Sequence, residues 1–166
     1  MTDPEASAAR APGEPDADRY WLNLAIDLSR KCLMSESAFS VGAVVVSMTG
    51  EVLGTGFSRE TDPNDHAEEV ALRRTESADL GKATLYSSLE PCLRRASRPV
   101  SCSELIAASG LQRVVIAWLE PPIFVPHGGA TWLAAHDIAV IQFADLAPAA
   151  KAVNAHLLHG YDSSTR

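Results

Sequence analysis

The feature that most constrains this chain is a series of short β-branched runs that alternate with helix-like segments after an opening hairpin. Val41 to Met48 is the first run, Thr49-Gly50 is a turn signal, and Glu51 to Phe57 returns, which together predict a hairpin at one edge of a sheet. Beyond it, strands are predicted at Ala83 to Ser87, Arg113 to Leu119 and Asp137 to Phe143. Helices are predicted between them: His66 to Arg74 with a stop near Gly81, Cys102 to Gly110 with hydroxyl residues at its start, Gly128-Gly129 through Ala135, and a last helix from Asp145 to His159. Upstream, Trp21, Leu22, Leu24, Ala25, Leu28 and Cys32 fall at three- and four-residue steps, the pattern of an amphipathic helix with Asp18 as its N-cap. The order αββαβαβαβα predicts an α/β fold with three α/β/α layers, in which helices cover both faces of a mixed five-stranded sheet.

At 166 residues and 46 % hydrophobic content the chain has material for one packed domain, expected over 19–160. Residues 1–18, with Pro4, Pro12 and Pro15, show no apolar periodicity and are expected to be a disordered acidic tail; 161–166 form a C-terminal tail. No apolar run approaches a membrane span, and the N-terminus is acidic where a signal peptide is basic, so a cytoplasmic protein is expected. The formal charge is −7, of which Asp3, Glu5, Glu14, Asp16 and Asp18 against Arg10 contribute −4. That balance and a 6 % aromatic content argue against a polynucleotide partner, which needs a basic track and stacking platforms. They leave room for a local basic patch facing an anionic small molecule.

Three cysteines are too few for a disulfide framework and suit a metal or catalytic role in a reducing cell. His66, Cys92 and Cys102 offer an imidazole and two thiolates, a donor set for Zn²⁺ that leaves a fourth position for water, whose pKa the metal lowers towards ~7. Glu68, two residues beyond His66 at a helix start, is placed to take and return a proton without being a ligand. Taken singly, a histidine there is most often a cap and scattered cysteines are buried small hydrophobes. His66-Ala67-Glu68 together with Pro91-Cys92 and a second cysteine matches the signature of zinc nucleobase deaminases. Cys32 is left over, expected as a buried apolar residue on the first helix.

On these motifs the chain resembles the cytidine deaminase superfamily, and within it most closely the deaminase domain of riboflavin-pathway enzymes, over about residues 19–160. Val41-Gly42-Ala43-Val44-Val45-Val46 is similar to the family's first strand, Ser88-Leu89-Glu90-Pro91-Cys92 to its second motif, and Cys102 to Val115 to its third ligand, helix and strand. The resemblance implies that His66, Cys92 and Cys102 bind zinc, that Glu68 is the acid/base, and that the Ala67 amide and Ser88 carbonyl hold the substrate. The Gly128-Gly129 helix and Asn154 also match. Where that branch carries Asn-Pro before Val-Gly, this chain has Ala38-Phe39-Ser40, which makes Phe39 and Ser40 candidate substrate contacts of a different kind. The loop between the cysteines carries Arg94, Arg95 and Arg98, candidates for a phosphate clamp with Arg98 preferred, against the reading of a solvated loop with ion pairs. His127, beside Gly128, is a further pocket candidate.

The expected activity is hydrolytic deamination of an aminopyrimidine base, nucleoside or nucleotide, riboflavin-pathway-like or from a specialised pathway, with cytidine, deoxycytidylate or a guanine-type purine as alternatives. With no room for a reductase, the deamination step alone is expected of this chain. The rival from another class is a non-catalytic zinc-binding partner subunit. The resemblance also implies a homodimer or higher homo-oligomer.

Overall fold

The computed structural model describes residues 10–76, 78–124 and 127–159; residues 1–9 of the expected N-terminal tail, the whole expected C-terminal tail 161–166, and Pro126 lie outside them. The helices are α1 (Pro15–Ser29), α2 (Ala67–Arg73), α3 (Cys102–Ser109), α4 (Gly129–Ala135) and α5 (Ala147–Val153). The strands are β1 (Gly42–Val46), β2 (Val52–Phe57), β3 (Thr84–Leu89), β4 (Arg113–Trp118) and β5 (Ala139–Gln142), forming one sheet in the order β2-β1-β3-β4-β5. β1 runs antiparallel to β2 and β3, while β3, β4 and β5 are parallel, so the sheet is mixed as expected. The central strands GAVVV and TLYSSL are buried at every residue, because helices cover both sheet faces.

Strand register shows which helix covers which face. Gly42 pairs with Phe57 and Ala43 with Gly56, and successive residues of a strand point to opposite faces. A Cβ on Gly42 would meet the Ala25 carbonyl of α1 at 1.9 Å, whereas one on Gly56 would meet the Ala67 carbonyl of α2 at 2.5 Å. α1 and α2 therefore lie on opposite sides, and α2 is pressed so closely to the sheet that its first turn is fixed against β2. Ser87, which pairs with Ala43, faces α2; its neighbour Ser88 faces the other side and accepts a hydrogen bond from the Gly42 amide.

Three local expectations are corrected. The first helix begins at Pro15, whose fixed φ suits the first helical position, so residues 15–18 belong to α1 and Asp18 is not its N-cap. Asp18 is instead buried beneath the helix, where it meets Arg113 and Tyr86. α1 ends at Ser29, so Cys32 lies beyond it, half-buried, with its sulfur 3.5 Å from the Val41 carbonyl. The last helix is broken into a 3-10 turn at Ala144–Leu146, α5, and a second 3-10 turn at Ala155–Leu157. Pro148 is the reason for the first break: it fits only the opening turn of an α-helix, so α5 starts beside it.

Candidate active site

A cavity of about 470 Å³ opens at the carboxyl ends of β3 and β4, against the amino end of α2. His66 is the N-cap residue of α2, but its side chain makes no capping bond. Its Nδ1 turns instead to two sulfurs, 3.6 Å from Cys92 Sγ and 3.4 Å from Cys102 Sγ. Cys92 lies near the start of the loop leaving β3; Cys102 is the first residue of α3, placed by a capping box between Ser101 and Glu104. The Cys102 amide donates to Cys92 Sγ at 3.3 Å, a contact at the start of α3 that favours thiolate, and the Ser103 amide donates to the Cys92 carbonyl, which ties the loop to the helix. The Cys102 thiol, with His66 beside it, holds Cys92 well below the ordinary thiol range. Cys102, hydrogen-bonded to Cys92 and fully buried, is pushed up in turn.

These three donor atoms all lie within 4.8 Å of one another, and both cysteines are free. Bonds of ~2.0 Å to nitrogen and ~2.3 Å to sulfur at a tetrahedral angle set nitrogen and sulfur roughly 3.5 Å apart, and the observed spacings match. One imidazole and two thiols with no disulfide fit Zn²⁺, and three protein donors would leave one of its usual four positions for water.

Glu68, on the first turn of α2, lines the same cavity and is 3 % exposed. Burial raises its pKa, the neighbouring Cys92 adds to this, and His66 and a hydrogen bond with Ser87 oppose it. A carboxyl held above its usual range beside a zinc-type cluster suits a group that must both accept and deliver a proton. Ser87, whose Oγ is 2.8 Å from Glu68 Oε1, was missed by sequence reasoning, although strand parity relative to Gly56 marks its face.

The other candidates are divided by the structure. Ala67, Phe39, Arg94 and Arg95 line the cavity; Ser40, Ser88, Arg98, His127 and Asn154 do not. Arg95 is buried and paired with Glu69, with a second bond to the Asn64 carbonyl. Arg98 turns into a separate groove, where Glu69 lies at 3.1 Å and Asp62 and Asp65 each at 3.5 Å, so its charge is already matched. Asn154 binds the Ser40 amide at 2.7 Å and the Ser40 carbonyl at 3.0 Å, which fixes the wall ahead of Phe39 and Val41 rather than touching the cavity. His127 is exposed. Arg59 is an addition: it lines the cavity, and its guanidinium binds the Phe39 and Leu33 carbonyls and Ser40 Oγ with no carboxylate partner among the described residues. Glu90 is structural, accepting from the Glu120 amide at 2.9 Å and the Ala130 amide at 2.8 Å, and so joining β3, β4 and α4 behind Cys92.

With this geometry in place, comparison is direct: the cytidine and deoxycytidylate deaminase zinc-binding region matches residues 15–118. The chain belongs to that family. A diaminohydroxyphosphoribosylamino-pyrimidine deaminase of Schizosaccharomyces pombe is 41 % identical over 129 residues, 75 % of this chain and 31 % of that protein. One of the same name from Buchnera aphidicola (subsp. Acyrthosiphon pisum) is 32 % identical over 124 residues, 74 % of this chain and 82 % of that protein. Acinetobacter baumannii RibD, a solved structure, superposes with a TM-score of 0.73 at 28 % identity, covering 90 % of this chain and 41 % of the other. The chain thus spans about a third of the yeast protein's length and most of the Buchnera protein's. Zn²⁺ is the metal that the family and the His66, Cys92 and Cys102 cluster share. Among the described residues no helix is long and apolar enough to cross a membrane.

Proposed function

We propose that this cytidine-deaminase-family domain is a zinc-dependent hydrolytic deaminase of an aminopyrimidine, with the riboflavin-pathway type as first choice, since the Schizosaccharomyces and Buchnera relatives carry that name. The observation that carries the reading is the position of Glu68: buried, lining the cavity with His66 and Cys92, and interacting electrostatically with both. His66 Nδ1 and the sulfurs of Cys92 and Cys102 would hold the metal, which supplies Lewis acidity and makes water nucleophilic near neutral pH. Glu68 would take one proton from the attacking water and give it to the ring nitrogen of the cyclic amidine, then take the proton of the hydroxyl added to the ring carbon and pass it to the exocyclic amine, so that ammonia leaves and a ring carbonyl remains. Phe39, packed edge-on against Phe124 and Trp118, supplies an apolar wall for the ring.

The cavity is larger than a bare pyrimidine needs, and Arg59 and Arg94 line it without ion-pair partners among the described residues. The Cys32 thiol, raised by burial, stays neutral beside Arg59 and cannot balance it. An anionic substituent on the substrate fits these two cations, in place of the matched Arg95 and Arg98. Free thiols at the metal cluster fit a reducing cytoplasm. Leu33 and Met34, 77 % and 74 % exposed beside the cavity wall, give apolar area for a homodimer contact; a monomer by sedimentation at micromolar concentration contradicts this.

The test is ammonia release by the zinc-loaded protein from a panel of aminated pyrimidines and purines, free and phosphorylated. Turnover of a phosphorylated aminopyrimidine, with preference over the unphosphorylated form reduced in Arg94→Gln, supports the reading. Preference for a purine redirects the substrate class. Release from no member, with one zinc bound per chain, contradicts it and favours a zinc-binding module.

A further inference from the structure

Ser87 lies in the middle of β3, between Ala43 of β1 and Ile116 of β4, with no exposed surface. A hydroxyl there has given up water, so its partners are those the protein supplies. Two oxygens lie 2.8 Å from its Oγ: Glu68 Oε1 and the Leu89 carbonyl. A hydroxyl has one proton and two lone pairs, so it donates to one of these at a time. When Glu68 is a carboxylate, the proton points to Oε1. When Glu68 is protonated at Oε2 the same bond holds, and when it is protonated at Oε1 the carboxyl donates to Ser87 Oγ and the hydroxyl turns to Leu89. Glu68 therefore meets the same oxygen at the same place in both forms, and Ser87 releases no proton in either.

A backbone carbonyl could hold only the acid, because it has no proton to give, and a backbone amide could only donate, because it has no acceptor for the proton of the acid. A hydroxyl with a second acceptor behind it serves both, which is what a carboxyl needs if it alternates between them during one turnover. Register places it there: β1 pairing puts residue 87 on the α2 face, and the close approach of α2 at Gly56 brings Glu68 within reach.

We propose that Ser87 is the positioning residue of Glu68, fixing its carboxyl towards the cluster throughout the reaction. The inference rests on the deaminase reading for its catalytic meaning and on the two 2.8 Å contacts for its geometry. The experiment compares kcat, KM and zinc per chain in the wild type, Ser87→Ala and Ser87→Thr. Ser87→Ala should lower kcat by about tenfold to a hundredfold, with KM and zinc content unchanged. Ser87→Thr, which keeps the hydroxyl, should recover most of the loss. An unchanged kcat in Ser87→Ala overturns the proposal, as does a loss that follows KM or zinc content. Ser87→Ala removes only an oxygen, so it carries the test even if the added methyl of threonine is not accommodated. Crystal structures of the zinc-loaded wild type and Ser87→Ala give an answer independent of turnover. The carboxyl should leave its position in the variant, and an unmoved carboxyl rejects the proposal. A wild type that binds zinc but releases no ammonia would contradict the deaminase reading, while the crystallographic comparison still decides on Ser87.

Discussion

A carboxylate that is 2 % exposed needs donors, and Asp18 has four: Arg113 at 2.6 and 3.0 Å, the Tyr86 hydroxyl at 2.6 Å and the Gly13 amide at 3.2 Å. Burial alone would raise its pKa, but the hydrogen bonds from Arg113, Tyr86 and Gly13 outweigh this and lower it. Because the folded value lies below the unfolded 3.8, the stabilisation is complete above that pH and is lost as pH falls through the folded value. Asp18→Asn should therefore cost about 3 kcal/mol at neutral pH, with the gap to wild type narrowing below about pH 4 in melting experiments. A gap constant from pH 7 to 2 would contradict the assigned ionisation. The sequence pattern could not reveal this pairing, since Asp18 and Arg113 are far apart in the chain and an acid near a helix start reads as a cap. The clustering of His66, Cys92 and Cys102 was legible because short motifs, His-x-Glu and Pro-Cys, carry that chemistry in the sequence. Ser87 was not, because its meaning comes from strand parity.

Elements set the cavity wall as much as the named side chains do. Asn154, following α5, hydrogen-bonds both polar atoms of the Ser40 backbone and the Ala150 carbonyl, across 114 residues for the first two. Asn154→Ala strands those groups, so it should destabilise by about 1 to 3 kcal/mol and raise KM more than it lowers kcat, because Phe39 follows the wall. Unchanged steady-state constants would detach this strap from substrate binding. Gly129 matters for the metal side: a Cβ there would lie 1.9 Å from the Pro91 carbonyl, directly before Cys92. Gly129→Ala should cost roughly 1 to 3 kcal/mol and weaken zinc retention, measured by competition with a chelator. Strands and the first four helices could be read from apolar runs and punctuation. The broken last helix could not, because its periodicity continues through Pro148 while its backbone cannot. The loop arginines show the same limit: sequence places them together, but only folding shows that Glu69 takes Arg95 while Asp62, Asp65 and Glu69 surround Arg98.

For the whole molecule, the metal cluster joins the start of α2, the loop after β3 and the start of α3, three segments otherwise fixed by the sheet. Zinc binding to the folded state alone should stabilise by about 4 kcal/mol at a thousand times its Kd, which for a domain of this size is a melting shift of roughly 10 °C. Chelation should reverse that shift, and His66→Ala or Cys102→Ala should abolish it; a melting point insensitive to zinc would contradict the proposed ligand set. The formal charge of −7 gave no guide to the site, where Arg59 and Arg94 line the cavity with no carboxylate partner among the described residues. The most direct test of the central claim is Glu68→Gln, which keeps the size of the side chain and removes its ability to carry a proton. The account predicts one zinc per chain, an unchanged fold and ammonia release reduced by about a hundredfold or more. Full turnover in that zinc-loaded variant would contradict it.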